Sequence, residues 1–320
     1  MNDPLRITFA GTSHVHLPDY AEACRARGDI RIVGACLLDE DSSYRFPVDV
    51  PIVAAPGDLA AHDLCVVTTD IASHESVAAA MTAPSVFVEK PLGTSAAAAR
   101  RVVEILRRDG RTLHTGFFLR HESATRVIRD RLAARRIGRL REVRMTYEHH
   151  GLRRGWLAEW PAHLDSARMG YGVFGDLAGH LIDLCHATIG SVGPNRCTLQ
   201  WESGARSDVG GEAVLRTPGG VPVRLRAGAV ATRVRLEIRF EGDRGALLWA
   251  DGQLSEISSG QTRVLVRDAM PTPLRGFLSV LDEVRGGRRR GATAAQAVAV
   301  NRTLDRLHAA ASIDRRTTGG

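Results

Sequence analysis

Short apolar segments alternate with helical patterns over the first third of the chain, and this alternation constrains the fold most. Strand-like runs occupy residues 5–10, 30–38, 63–69, 85–89 and 112–118, with a weak one at 51–54. Helical patterns separate these runs: one at 18–27, one that follows the strand 63–69 and continues through Met81, and one at 95–108. Strands that alternate with helices of about 10–15 residues predict βαβ units and a doubly wound parallel sheet. We place this α/β domain at residues 1–120.

The remainder, residues 121–320, has a different organisation. Helical patterns cover 123–136, 176–188, 274–284 and 293–311, and a Trp- and Arg-containing loop covers 151–172. Strand-like stretches lie at 141–148, 196–202, 211–216, 221–230, 233–240, 246–249 and 262–266. Gly-Gly and Asp-Gly turns between several of them are typical of hairpins. We therefore predict an α+β domain with an open, mainly antiparallel sheet.

The basic residues give a formal net charge of +7, yet they form no nucleic-acid signature. Of the 43 basic residues, 42 are Arg and one is Lys90. They are spread along the chain, and the dense run Arg288–Arg290 is bounded by glycines, as in a solvated loop. Aromatic residues make up only 5% and do not interleave with basic ones. We therefore expect no nucleic-acid partner.

The sequence also lacks targeting, membrane and metal signals. No apolar run approaches the roughly 18 residues of a membrane span. The N-terminus runs directly into a strand-like segment, which leaves no room for a signal peptide. The five cysteines form no C-x-x-C pair, and His14 and His16 have no third ligand nearby. We expect a cytoplasmic protein with neither a membrane association nor a metal site.

The turn after the first strand reads Gly11-Thr12-Ser13-His14-Val15-His16. A dinucleotide-binding fold places its G-x-G-x-x-G turn here, where a helix N-terminus presents N–H groups to a pyrophosphate. Ser13 replaces the second glycine and keeps close approach possible while adding a hydroxyl. His16 replaces the third. The pattern indicates a cofactor-binding turn formed by Gly11, Thr12, Ser13 and His14, although a plain strand–helix turn would have the same features.

Asp39 ends the second strand, 28 positions after Gly11. A carboxylate there can accept hydrogen bonds from the adenosine ribose and repels a 2′-phosphate. This position favours NAD over NADP. Ser42, Ser43 and Arg45 leave NADP possible, and a polar residue that merely ends a strand remains the alternative.

The chain's one lysine lies in Glu89-Lys90-Pro91-Leu92-Gly93, at the carboxyl end of a predicted strand. Ligands of open α/β sheets bind outside these strand ends. Lysine and arginine are not interchangeable as point charges, so a sole Lys in an Arg-rich chain indicates a functional role. The alternative is an ordinary loop lysine.

A second polar constellation lies on the predicted helix 176–188. Asp176 and His180 are spaced i,i+4 and share a helix face, with Asp183 one turn further. An imidazole beside a carboxylate forms a proton-transfer pair, in which His180 takes or gives the proton. The alternative is structural: Asp176 caps the helix and His180 makes a buried hydrogen bond.

Together these motifs resemble the glucose–fructose oxidoreductase / inositol dehydrogenase (Gfo/Idh/MocA) family over most of the chain. The resemblance rests on E-K-P-L-G at 89–93 and D-L-A-G-H-L-I-D at 176–183. The segments 68–74, 116–121 and 239–246 support it. It implies that Lys90, Asp176 and His180 are catalytic. It also implies that Thr68, Thr69, Asp70, His74, Glu89 and Lys90 contribute to cofactor binding.

The implied function is an NAD(P)-dependent oxidoreductase that acts on a secondary alcohol or ketone of a sugar, cyclitol or polyol. Candidate substrate-binding residues are Arg120, His121, Trp156 and Trp160, and the alternative is that these residues have only structural roles. Alternatives are an enzyme that recycles bound NAD to cleave or eliminate a glycoside, and a non-catalytic NAD-binding sensor or assembly protein. The resemblance further implies a homodimer or homotetramer. Asp70 stands where the family usually has Pro, and Ala178 where it has Gly; these departures bear on cofactor affinity more than on chemistry.

Overall fold

The computed structural model describes residues 3–38, 45–46 and 49–316. The chain divides into two compact units that do not follow one boundary in the sequence. The first unit comprises Met1–Phe117, Trp156–Gly170 and Pro273–Asn301. The second comprises Phe118–Gly155, Tyr171–Thr272 and Arg302–Gly320.

A six-stranded parallel sheet forms the centre of the first unit. Its strands are β1 (Leu5–Ala10), β2 (Ile30–Cys36), β3 (Ile52–Val53), β4 (Leu64–Val67), β5 (Ser85–Val88) and β6 (Thr112–Thr115). The strand order is β3-β2-β1-β4-β5-β6, and every pairing is parallel. This order is the one found in dinucleotide-binding Rossmann folds. The predicted doubly wound parallel sheet is confirmed.

Eight α-helices lie in the described part of the chain. They are α1 (Leu17–Arg25), α2 (His74–Ala80), α3 (Ala96–Arg108), α4 (Ser123–Ala133), α5 (Ser166–Met169), α6 (Gly172–Thr188), α7 (Pro273–Val284) and α8 (Ala294–Ala309). Helix α3 shows why the local sequence is helical. Ser95 caps it by accepting from Ala98 N at 3.1 Å, alanines fill its first turn, and Arg107 and Arg108 favour its negative C-terminal end.

The core of the first unit depends on a segment from near the end of the chain. Phe277 of α7 stacks on Tyr20 of α1, with ring centroids 4.3 Å apart. The ring of Phe277 also meets Phe87 of β5 edge-on at 5.4 Å. These aromatic contacts add to the burial of Phe9 and Leu64 in the same core.

A nine-stranded sheet forms the second unit. Its strands are β7 (Leu140–Glu148), β8 (Gly193–Glu202), β9 (Gly210–Arg216), β10 (Pro222–Gly228), β11 (Arg235–Gly242), β12 (Ala246–Ala250), β13 (Gln253–Ser258), β14 (Gln261–Arg267) and β15 (Ala311–Arg316). The order is β14-β13-β12-β11-β7-β10-β9-β8-β15. The pairs β7–β10 and β8–β15 are parallel and the others antiparallel. The predicted open, mainly antiparallel sheet is confirmed.

Three of the differences from the prediction concern α6, β13 and β15. Helix α6 begins at Gly172, four residues before Asp176. Strand β13 was missed because its sequence, Q-L-S-E-I-S, carries few strongly apolar residues. Strand β15 was missed because it follows α8 directly, and its strand conformation depends on pairing with the distant β8. None of the helices in the described residues has the length and apolarity to span a bilayer.

Candidate functional site

The first unit gathers most of the predicted cofactor residues at one edge of its sheet. Strands β1 and β4 are neighbours, and the strand order reverses between them. Ligands of open α/β sheets bind outside the carboxyl ends of the strands at such a switch point. The predicted residues that follow β1, β4 and β5 here are Gly11, Thr12, Ser13, His14, Thr68, Thr69, Asp70, Glu89 and Lys90, and all are buried. Asp39 lies outside the described residues.

The turn after β1 is tied to the loop after β4. Gly11 has a φ of 86°, and a Cβ at this position would overlap Thr69. The Thr68 hydroxyl donates to Gly11 O at 2.9 Å, and His14 N donates to Thr68 O at 3.0 Å. Glycine is therefore required at position 11 both for its conformation and for the close approach of the two loops.

Two buried hydroxyls at this edge test whether the residues fit a dinucleotide. Ser13 Oγ and Thr69 Oγ1 are buried and have no hydrogen-bond partner among the described residues. A buried hydroxyl without a partner is unfavourable, so both are suited to a polar ligand. Pro18 and Asp19 make the first turn of α1 less suited to an anion, because Pro18 has no N–H and Asp19 is acidic. The residues fit a dinucleotide bound through side-chain hydroxyls as well as backbone.

Glu89 organises the loop that carries Lys90. Its carboxylate is fully buried, accepts from Tyr20 OH at 2.7 Å and from Lys90 N at 3.1 Å, and lies 3.7 Å from His14 Nε2. A Cβ on Gly116, after β6, would overlap this carboxylate. Burial, and then the charge of Glu89, raise the pKa of Tyr20 well above its usual value. Glu89 thus contacts α1 and the segments after β1, β5 and β6. The neighbouring Lys90 is itself only 2% exposed.

His74 also has a structural contact in this region. Its Nδ1 lies 3.2 Å from Leu92 O, in the loop after Lys90. Burial lowers the pKa of His74 to about 4, so the ring is neutral near pH 7. A neutral ring can fix the loop at residues 90–93 without adding charge to the edge of the sheet.

The second unit carries Asp176 and His180 on α6, which packs on β7, β9 and β10. His180 is buried, and its ring meets Phe118 at 4.5 Å and Tyr147 at 6.0 Å between centroids. Asp176 is half-buried. Burial, and then the charge of Asp176, raise the pKa of Tyr147, so its phenol stays protonated. The arrangement presents an imidazole in an aromatic pocket one helical turn from a carboxylate.

Arg120 and Asp183 form a buried ion pair within the same unit. Arg120 donates to both carboxylate oxygens of Asp183, at 2.8 Å from Nε and 2.5 Å from Nη2. Burial raises the pKa of Asp183, and Arg120 opposes that effect. The pair fastens residues 118–121 to α6. The Arg120 guanidinium is therefore directed at Asp183, and a substrate contact for Arg120 or for the half-buried His121 stays a prediction.

Asp208, which the sequence did not single out, caps α6. Its Oδ1 accepts from Phe174 N at 2.6 Å, and a Cβ on Gly172 would overlap its carboxylate. Burial raises the pKa of Asp208 to about 7. The sequence S-D-V-G around it carries no helical or catalytic signal, because the helix that it caps lies 34 residues earlier in the chain.

Trp156 and Trp160 lie in the first unit, whereas Arg120 and His121 belong to the second. Both Trp side chains are half-buried, in or next to a 3₁₀ turn at Trp156–Glu159. Their role as substrate contacts stays a prediction. Among the described residues, no group of three His, Cys, Asp or Glu side chains is placed to hold a metal ion.

Two family models match most of the chain. Residues 6–117 match an oxidoreductase family with an NAD-binding Rossmann fold, and residues 125–248 match the GFO/IDH/MocA C-terminal domain. No curated protein sequence matches the chain.

Solved structures share the fold at low sequence identity. KijD10, a 3-ketoreductase from Actinomadura kijaniata crystallised with NADP and TDP-benzene, is 18% identical with a TM-score of 0.82, over 98% of this chain and 100% of that one. An oxidoreductase domain protein from Kribbella flavida is 18% identical with a TM-score of 0.78, over 97% of each chain. An inositol dehydrogenase homolog from Azotobacter vinelandii, complexed with NAD+, is 17% identical with a TM-score of 0.77, over 97% and 96% of the two chains.

Proposed function

The chain belongs to the Gfo/Idh/MocA family of NAD(P)-dependent oxidoreductases, and from this premise we propose that it interconverts a secondary alcohol and a ketone on a sugar, cyclitol or related polyol. The 3-ketoreductase and the inositol dehydrogenase homolog that share its fold support a polyhydroxylated substrate. The substrate class is our inference from these two relatives and from the polar groups of the two units.

The carboxyl edge of the parallel sheet is the proposed cofactor site. When bound there, a nicotinamide cofactor accepts or donates a hydride. The hydroxyls of Ser13 and Thr69 and the backbone of the Gly11 turn hold it, with Thr12, Thr68 and Asp70 alongside. Glu89 and His74 support the cofactor site indirectly. Their side chains are buried against Tyr20, Lys90 and Leu92, so they position the loops that bind the cofactor.

His180, Asp176 and Lys90 are the proposed catalytic residues. A ring nitrogen of His180 accepts the hydroxyl proton during oxidation and returns it during reduction. Asp176, one turn away on α6, fixes a neighbouring substrate hydroxyl. Lys90 donates a hydrogen bond to the reacting oxygen and favours its developing negative charge.

The observation that carries the proposal is the position of Lys90. It is the sole lysine of the sequence, it follows β5 at the carboxyl edge of the sheet, and its side chain is almost completely buried. An ammonium group loses hydration when it is buried, and this lysine stands in a chain whose other 42 basic side chains are arginine.

A cofactor-coupled screen of sugars, cyclitols and keto-sugars with both nicotinamide cofactors tests the function. On the best substrate we expect Lys90→Met and His180→Ala each to lower kcat by roughly 10²–10⁴-fold. His186→Ala, on the same helix, is the matched control and should stay within about twofold of the unmodified enzyme. Full activity in both catalytic variants would refute the residue roles. Turnover without net cofactor oxidation or reduction would indicate a recycling enzyme instead.

The proposal also covers the preferred cofactor, the oligomeric state and the cellular compartment. We propose NAD as the preferred cofactor, since the sequence carries the Asp39 carboxylate three positions after the last residue of β2. We also propose a homodimer or homotetramer in solution. Five free, buried cysteines suit a reducing compartment such as the cytoplasm. Titration with NAD(H) and NADP(H) tests the preference, and light scattering after gel filtration tests the assembly. Tighter binding of NADP(H) or a monomeric mass would overturn the respective point.

A further inference from the structure

Residues Trp156–Gly170, here called the strap, come from the middle of the chain but belong to the first unit. They form three short helical turns, at Trp156–Glu159, Pro161–Leu164 and Ser166–Met169. The sequence predicted only a loop here.

The strap contacts the loops after three adjacent strands of the parallel sheet. The ring centroid of His163 lies 5.1 Å from that of His14, which belongs to the turn after β1. Arg168 Nε donates to Asp70 Oδ2 at 2.7 Å, in the loop after β4. A Cβ on Gly170 would lie 2.6 Å from Thr94 Cα, after β5. The strap therefore crosses the carboxyl edge at β1, β4 and β5, which are neighbours in the sheet.

Arg168 and Asp70 form a partly buried ion pair in a fixed orientation. The side chains are 25% and 8% exposed, so solvent screens the pair less than one on the open surface. Asp70 Oδ1 also accepts from Ser73 N at 3.0 Å, which fixes the orientation of the carboxylate. On the other side, Asp165 Oδ1 accepts from Ala167 N at 2.9 Å and caps the short helix that carries Arg168. Both partners are thus held by hydrogen bonds of their own.

Asp70 follows directly on Thr68 and Thr69. Thr68 is bonded to the Gly11 turn, and Thr69 carries a buried hydroxyl with no hydrogen-bond partner among the described residues. The ion pair between Asp70 and Arg168 therefore restrains the segment that presents the Thr69 hydroxyl. Restraining a binding loop before the ligand arrives lowers the entropy that binding must remove.

We propose that Arg168 is a positioning residue of the cofactor site: through Asp70 it fixes the loop after β4, and the strap forms a wall of the site that must loosen for the dinucleotide to leave. This inference rests on the proposed function for the identity of the ligand. It assigns the strap a role in cofactor retention and assigns Arg168 no contact with the reacting atoms.

A double-mutant cycle on the cofactor dissociation rate tests the proposal. Asp70→Asn keeps an oxygen acceptor for Ser73 N while removing the charge, and Arg168→Gln removes the charge of the partner. We expect each single variant to release NADH or NADPH roughly tenfold faster, and the double variant to match the single ones instead of reaching hundredfold. Displacement followed by nicotinamide fluorescence in a stopped-flow instrument measures the rates.

A second ion pair in the same unit provides the control. Arg101 Nε donates to Glu75 at 2.8 Å between α3 and α2, and the two side chains are 56% and 38% exposed. Arg101→Gln and Glu75→Gln should leave the dissociation rate within about twofold of the unmodified protein.

The outcomes separate this inference from the proposed function. If the unmodified protein binds neither NAD(H) nor NADP(H), the proposed function fails. If it binds one of them and the cycle variants, shown to be folded by circular dichroism, release it at the unmodified rate, only the role of Arg168 is overturned. Multiplicative effects of Asp70→Asn and Arg168→Gln would also overturn it, since the two residues would then act independently.

Discussion

The two faces of the nine-stranded sheet differ sharply in how they use charge. On β10, Val223, Leu225 and Ala227 are buried on the face that α6 covers, whereas Arg224 and Arg226 are exposed on the other. The exposed face carries Arg–Glu pairs from strand to strand. Arg224 donates to Glu142 and Arg226 to Glu148, each at 2.7 Å. Two-residue alternation produces both faces from the same strands.

Beside the covered face, two buried carboxylates have defined partners, one on α6 itself and one in the loop before β9. Asp183 is bonded to Arg120, and Asp208 to the backbone of Phe174. Exposed ion pairs contribute little to stability, whereas an unpaired buried charge is costly. The number of charges on a surface is therefore a poor guide to function here. The informative polar groups are the few on α6 and at its first turn, and three substitutions test this contrast.

The largest effect is expected for Arg120→Met. The substitution leaves the Asp183 carboxylate buried without its charged partner, so the free energy of unfolding should fall by about 3–5 kcal/mol. Urea denaturation followed by circular dichroism measures it. Adding Asp183→Asn should recover part of the loss because the buried charge is then gone. A loss below about 1 kcal/mol would place this pair in the same class as the exposed ones.

An intermediate, pH-dependent effect is expected for Asp208. Burial raises its pKa to about 7, from an ordinary 3.8, so between these values the folded state holds a proton that the unfolded state has released. The contribution of Asp208 is fully present below pH 3.8 and declines as the pH rises through 7.

Asp208→Asn should remove this decline while keeping an acceptor for Phe174 N. Relative to the unmodified protein, the variant should gain on the order of 2 kcal/mol between pH 5 and pH 8. Urea denaturation at a series of pH values gives the comparison. Parallel profiles for the two proteins would mean that Asp208 does not titrate in this range.

The smallest effect is expected for Arg224→Ala on the exposed face. The Arg224 side chain is 56% exposed, and Glu142 also pairs with Arg144. Burial acts to raise the pKa of Glu142, but hydrogen bonds from Arg224 and then Arg144 outweigh it and lower the pKa. We expect a change below about 1 kcal/mol in the free energy of unfolding, shrinking further in 1 M salt. A loss as large as that of Arg120→Met would erase the distinction between the two faces.

The sequence predicts best where structure is local. Strand β1 has the predicted bounds, because an apolar run and a following glycine define both of its ends. The positions of Lys90 and of the Gly11 turn follow from the same logic, since residues after parallel strands share one edge of the sheet. These features need no knowledge of distant partners.

Long-range partners account for what the sequence does not reveal. The prediction began α6 at Asp176, a residue type that often caps helices. The helix begins at Gly172 instead, with Asp208 from a later loop bonded to its first turn. Arg168 and Asp70 are 98 residues apart, and although Asp70 lies in the segment 68–74, nothing in the sequence pairs it with Arg168. Contacts of this kind depend on the folded chain and leave no periodic pattern.

The first unit is assembled from three separate segments of the chain, and this order has a consequence for protein synthesis. Its aromatic core includes Phe277 of α7, and its third segment ends at Asn301. While the ribosome is still adding the second unit, Tyr20 and Phe87 have no Phe277 to pack against. A nascent chain that has not reached α7 therefore has an incomplete core in its first unit, and its exposed apolar surface is prone to aggregation. The order of the segments thus delays completion of this domain until the strands β7 to β14 of the second unit have been made.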